Sequence, residues 1–63
     1  MTPIKRFKFD KNMKYQTMAD LFTVSKETIY SWCAGHSTPS KKNAERVSKI
    51  TGIPVMKLMF PNG

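Results

Sequence analysis

The sequence is poor in the groups from which reactive or stapled sites are made. Its 63 residues include one cysteine, one histidine and four Asp and Glu. The lone Cys33 excludes an internal disulfide, and Cys33 with His36 is too small a donor set for a structural metal site. There are no paired carboxylates, no nucleophile set beside a base and no Gly-rich phosphate loop, so neither an enzyme nor a bound cofactor is expected. No apolar run exceeds four residues, against about 20 for a membrane span. The opening MTPIKRFKF also lacks the apolar stretch of a secretory signal. The expectation is an intracellular, reduced, soluble protein.

What the sequence has in excess is positive charge. Eleven Lys and Arg against the four acids give a formal charge of +7. On so small a body that charge attracts polyanions and raises the rate of meeting them, which makes nucleic acid the leading partner and an anionic membrane the second. The plainer reading is a solvated surface that keeps the chain soluble. A chain of this length buries only about 60% of the surface its unfolded form exposes. Without a staple, stability has to come from well-packed helices, from oligomerisation, or from both.

Punctuation at Asn12, Thr23 to Ser25, Gly35 to Pro39 and Gly52 to Pro54 divides the chain into short periodic segments. This predicts an all-α fold, a bundle of four to five short helices forming one domain over residues 1–63. Thr2 and Pro3 make a helix opening, with a hydroxyl to cap and a ring whose φ suits the first position. Ile4 and Phe7 then share a face, and Asn12 suits a left-handed stop. The letters IKRFKF also carry aromatic residues two apart with Lys between them, a strand pattern. Residues 3–11 are therefore read as a helix, with an extended segment as the alternative.

The second helix is expected from Tyr15 to Phe22, where Met18, Leu21 and Phe22 form an i, i+3, i+4 stripe and Ala19 is the small residue on the inner edge. Gln16, Thr17 and Asp20 face out. In the third segment Ser25 is a strong N-cap and Gly35 a left-handed C-cap. Val24, Ile29 and Trp32 make its apolar line, and Lys26, Glu27, Tyr30 and Ser31 lie off that line. Ser40 opens a fourth helix that stops at Gly52, with an inner stripe of Ala44, Val47, Ile50 and Thr51 and with Lys41, Lys42, Arg46 and Lys49 around the rest. A fifth helix from about Pro54 to Met59 offers Val55, Leu58, Met59 and Phe60. The expected core is Met18, Leu21, Phe22, Ile29, Trp32, Val47 and Leu58, with Cys33 a small neutral residue.

The order of these signals resembles the lambda-repressor-like helix-turn-helix domains, the Cro and repressor proteins of phages and their bacterial relatives. Their signature reads L-A-x-x-x-G-V-S-x-x-x-I-S-x-W-x-x-G-x-x-x-P, and this chain reads MADLFTVSKETIYSWCAGHSTP from Met18 to Pro39. Ile4 and Phe7 fall where the family's first helix places core residues, and Gly52, Ile53 and Leu58 fall where it has a Gly-Val pair and a late Leu. Two short helices joined by a tight turn meet at a steep angle, so Ala19 must be small and Val24, Ile29 and Trp32 must fill the wedge. The chain departs from the pattern at Thr23, which stands where the family has the turn Gly and must accept a positive φ at about 1 kcal/mol. It departs again at Tyr15, with Gln16 following, where the family has a phosphate-binding Gln, and at Cys33, a position often acidic in relatives.

The resemblance implies a helix-turn-helix at about residues 15–34 whose second helix enters the major groove of duplex DNA. By analogy Lys26 and Glu27 touch bases, the first suited to guanine and the second to cytosine N4. Ser31 and Tyr30 reach further bases, the Tyr ring alternatively a thymine methyl, and Thr28 is a weaker candidate. Phosphate contacts are expected from Ser25 at the helix start, from His36, Ser37, Thr38, Ser40, Lys41, Lys42 and Asn43 in the following loop and helix start, and from Lys14, Tyr15 and Gln16 on the opposite side. The implied function is a sequence-specific DNA-binding transcriptional regulator, a repressor of phage type that blocks polymerase at an operator in the cytoplasm and nucleoid of a bacterial host. The implied assembly is a homodimer on DNA, through Val55, Leu58, Met59 and Phe60, the alternative being that this apolar end folds back onto Trp32 and the first helix. The rival readings are a protein-interaction module, such as the antitoxin of a toxin–antitoxin pair, and a non-specific basic nucleic-acid-binding protein.

Overall fold

The computed structural model describes residues 2–61, which form five helices and no strand: α1 (Pro3–Asp10), α2 (Tyr15–Phe22), α3 (Lys26–Ala34), α4 (Lys41–Thr51) and α5 (Val55–Met59). The segment read either as helix or as strand is helical. The Thr2 hydroxyl accepts the Lys5 amide at 3.2 Å, and Pro3 occupies the first turn, where a missing N–H costs nothing. The same hydroxyl donates to the Cys33 carbonyl at 3.3 Å, which ties the start of α1 to the end of α3.

Three of the helix ends are closed in the same way. Asn12 (φ 53°), Thr23 (φ 60°) and Gly35 (φ 82°) take the left-handed conformation. The amide after each then reaches back into the last turn: Met13 to the Lys8 carbonyl at 3.0 Å, Val24 to Ala19 at 3.0 Å and His36 to Ser31 at 3.0 Å. This is the Schellman arrangement, which satisfies carbonyls a helix end would otherwise leave open. Thr23 therefore adopts the conformation that Gly takes in related turns, and a β-branched residue is strained there by about 1–2 kcal/mol. The bonds of the turn and the half-buried Val24 packed on the core hold it in place. Ser25 and Ser40 cap α3 and α4 as expected, accepting the Thr28 amide at 3.1 Å and the Asn43 amide at 3.4 Å.

The helices enclose one buried cluster of Ile4, Met18, Ala19, Phe22, Ile29, Trp32, Cys33, Ala44, Val47 and Leu58. α2 packs on α3 and α4, α1 on α3 and α5, and α4 on α5. Ala19 is fully buried, as the close meeting of α2 and α3 requires, and Phe7 closes one side by tilting its ring against Phe22 at 6.4 Å between centroids.

One expected core residue, Leu21, and one residue of the inner stripe expected on the fourth helix, Ile50, are not buried. Leu21 is 42% exposed and Ile50 is 40% exposed. At about 100° per residue, the inner arc of α2 runs through Met18, Ala19 and Phe22, and Leu21 falls roughly 110° from its centre. Ile50 is displaced by a similar angle from the arc of Ala44, Val47 and Thr51 on α4. An apolar i+3 spacing gave each the look of a stripe, but the neighbouring small or polar residue sets the direction of burial. Ile4 is buried, as its place in the first helix implied, and Cys33 also belongs to the core. Phe60 lies beyond α5 as its C-cap and is exposed, whereas Leu58 is only 2% exposed, so it fills this chain's own interior and is not available to a partner.

Candidate nucleic-acid interface

The interface is built outward from α3. Ile29, Trp32 and Cys33 turn toward the protein core, which leaves Lys26, Glu27 and Tyr30 exposed together. They stand at i, i+1 and i+4, so Lys26 and Glu27 each meet Tyr30 one turn later on the helix surface. The start of the helix is held by a doubled cap: Ser25 Oγ accepts the Thr28 amide and shares a hydrogen bond of 2.7 Å with Thr28 Oγ1. Thr28 is thus half-buried and committed to the cap, and less free to reach a base than its position suggested.

Ser31 is also half-buried, and its hydroxyl shares a 2.7 Å hydrogen bond with that of Ser37. The pair joins the far end of α3 to the following loop, linking a residue expected at bases to one expected at phosphates. His36, Ser37, Thr38, Ser40, Lys41 and Lys42 are exposed along this loop and the start of α4, while Asn43 is half-buried. The first turn of α4 carries no acid, so its amides and the two lysines present an uncompensated positive end.

On the other side, Lys14 is the N-cap residue of α2 and offers no side-chain hydrogen bond to it, and the first turn again lacks an acid. Gln16 is exposed and donates to Asp20 Oδ1 at 3.0 Å. That contact orients the amide and shields one of the few carboxylates near the surface. Tyr15 is half-buried. Its ring meets Tyr30 edge-on at 5.8 Å and 61°, and the Lys8 ammonium lies 4.5 Å from its centroid. Tyr15, Lys26, Glu27 and Tyr30 together line a shallow cleft on the outer side of α3.

Lys8 was not legible as part of this region. It belongs to α1, and only the fold brings it to the base of α2; its one trace in the sequence is its place between Phe7 and Phe9. Asp10 is drawn away from the surface field by Arg6, whose Nε lies 3.2 Å from Oδ2 in an exposed i,i+4 pair. Burial pushes the Cys33 thiol above its ordinary pKa, with Lys8 and Lys5 pulling the other way, so the group stays a neutral core side chain. Among the described residues no group of three or more His, Cys, Asp or Glu could hold a metal ion, and no helix is long and apolar enough to cross a membrane.

A capped helix whose buried face locks it to the core and whose free face is mixed Lys, Glu and Tyr, preceded by a second short helix across a tight left-handed turn, defines a helix-turn-helix. A family model described as helix-turn-helix matches residues 5–58. The chain belongs to this family and is a DNA-binding helix-turn-helix regulator of lambda-repressor-like fold. No curated protein and no solved structure gives a significant match.

Proposed function

We propose that the protein is a sequence-specific repressor of phage Cro or repressor type, which lays α3 in the major groove of an operator. The observation that carries this reading is the exposed trio Lys26, Glu27 and Tyr30 on a helix anchored by Ile29, Trp32 and Cys33. A purely electrostatic binder has no use for a Glu at the centre of its contact face, whereas a reader of base edges can accept from cytosine N4 through it. Lys26 suits guanine O6 and N7, and Ser31 lies one turn further along. Ser25, Lys14, Gln16, and the loop from His36 to Asn43 supply the phosphate contacts that fix the register. Such a protein works in the bacterial nucleoid.

The division of labour is testable by a pair of variants. Glu27→Ala is expected to relax base preference at one operator position, and Lys42→Ala to weaken all sequences alike and lower the salt slope by about one unit. Equal losses on every sequence for both variants would show that the roles are wrongly assigned.

The assembly on DNA is proposed to be a homodimer through the end of the chain. With Leu58 turned inward, the surface left for a partner comprises Val55 and Met59, both half-buried, with Phe60 and the 66%-exposed Met56. Two-fold pairing there would set half-sites about one helical turn apart. Met56→Asp combined with Phe60→Asp should leave helicity unchanged and give monomers in sedimentation of the DNA complex. An unaltered dimer would exclude this face.

A further inference from the structure

Of the two rings that bound the cleft, Tyr30 is already a candidate for base reading, a thymine methyl among its targets, whereas Tyr15 and the Lys8 ammonium over it have no part in that reading. We propose that the cleft receives the C5-methyl group of a pyrimidine in the major groove, thymine in unmodified DNA, and that Lys8 is a positioning residue that holds its inner wall. The proposal rests on α3 facing the groove.

The argument begins with what the cleft offers. Its walls are two aromatic rings set edge to face, and its rim carries Lys26 and Glu27. A phosphate is a poor occupant, because the Glu27 carboxylate that lines the space would repel it. A whole base is also a poor one, since bases in a duplex stay stacked. Among the groups that project from base edges into the major groove, the thymine methyl is the apolar one. Aromatic walls take it out of water without requiring a hydrogen bond, while Lys26 and Glu27 on the rim remain free for the donors and acceptors of adjoining bases.

The wall is also held in place. Tyr30 is 55% exposed, as a reading residue should be. Tyr15 is half-buried against the core, and the Lys8 ammonium sits 4.5 Å from its ring centroid. A cation over an aromatic ring is favourable and limits the ring's freedom. Tyr15, expected from sequence as a phosphate contact, is thereby given a different part: the half-buried side of a slot whose exposed side is Tyr30.

The test uses the duplex recovered by selection from random DNA, synthesised with deoxyuridine at one thymine position at a time. Uracil keeps every hydrogen-bonding group and lacks only the methyl. Losing a buried methyl corresponds to about 0.8 kcal/mol, so one position per half-site is expected to bind about fourfold more weakly. In Tyr30→Ala and Tyr15→Ala that position should lose its sensitivity to uracil, in Tyr30→Phe it should keep it, and Lys8→Ala should shrink the penalty while Lys8→Arg restores it. Circular dichroism of each variant confirms the fold. A selected duplex bound equally well with uracil at every position overturns the cleft assignment and leaves base reading by α3 intact. A uracil penalty unchanged in both alanine variants places the methyl elsewhere and overturns it too. Failure to select any duplex removes the groove reading and this proposal together.

Discussion

Phe22→Ala is expected to remove most of the chain's folding stability. Phe22 is 1% exposed, lies at the end of α2 just before the strained Thr23 turn, and carries Phe7 on its ring. Emptying such a site costs about 3–5 kcal/mol, the transfer of the ring plus the cavity it leaves. At about 0.05–0.15 kcal/mol per residue, a chain of 63 residues has roughly 3–9 kcal/mol in total, and there is no disulfide to hold the remainder. Leu21→Ala, one position earlier but on the surface, should stay within about 1 kcal/mol of the parent. Urea titration followed by circular dichroism compares the two. Similar midpoints for both variants would contradict the direction of burial assigned to α2.

The second large effect concerns salt. Raising salt from about 50 to about 200 mM is expected to weaken DNA binding about a thousandfold per protomer, since contacts to about six phosphates give a slope near −5. The physical ground is the distribution of charge. The +7 excess is carried by side chains that meet few acids, Asp10 being held by Arg6 and Asp20 by Gln16, while Lys14, Lys41 and Lys42 stand at helix starts free of acids in the first turn. Fluorescence anisotropy of a labelled duplex across that range measures the slope directly. A fall of less than tenfold would mean that the loop from His36 to Asn43 and the start of α2 do not touch the backbone together.

Much of the architecture was legible because it is written in local chemistry. Ser25, Ser40, Gly35 and Gly52 each do at a helix end what their side chain, or lack of one, permits, and those bonds form between residues close in sequence. Asn12 and Thr23 extend the same logic to residues for which the left-handed conformation is less natural. The outward set of Lys26, Glu27 and Tyr30 followed from the same periodicity once Ile29 and Trp32 were placed inside. Leu21 and Ile50 were misjudged because a stripe three or four residues apart is compatible with two directions of burial, and the neighbouring helices decide between them. Leu58 was read both as core and as part of a partner-facing end, and the packing of α5 on α1 and α4 decides for the core. The Lys8, Tyr15 and Tyr30 contact was out of reach for a different reason: it joins three helices, and nothing in local sequence encodes which rings and ammonium groups the packing will bring together.

The most direct test of the reading of α3 is selection of bound sites from random duplex DNA by the parent chain and by Glu27→Ala in parallel. The expected result is one recurring site for the parent, with two-fold symmetry if the dimer forms, and the same site with relaxed preference at a single position per half-site for the variant. Recovery of unrelated sequences by the parent, or of an identical preference at every position by Glu27→Ala, would contradict the assignment of that face to base reading.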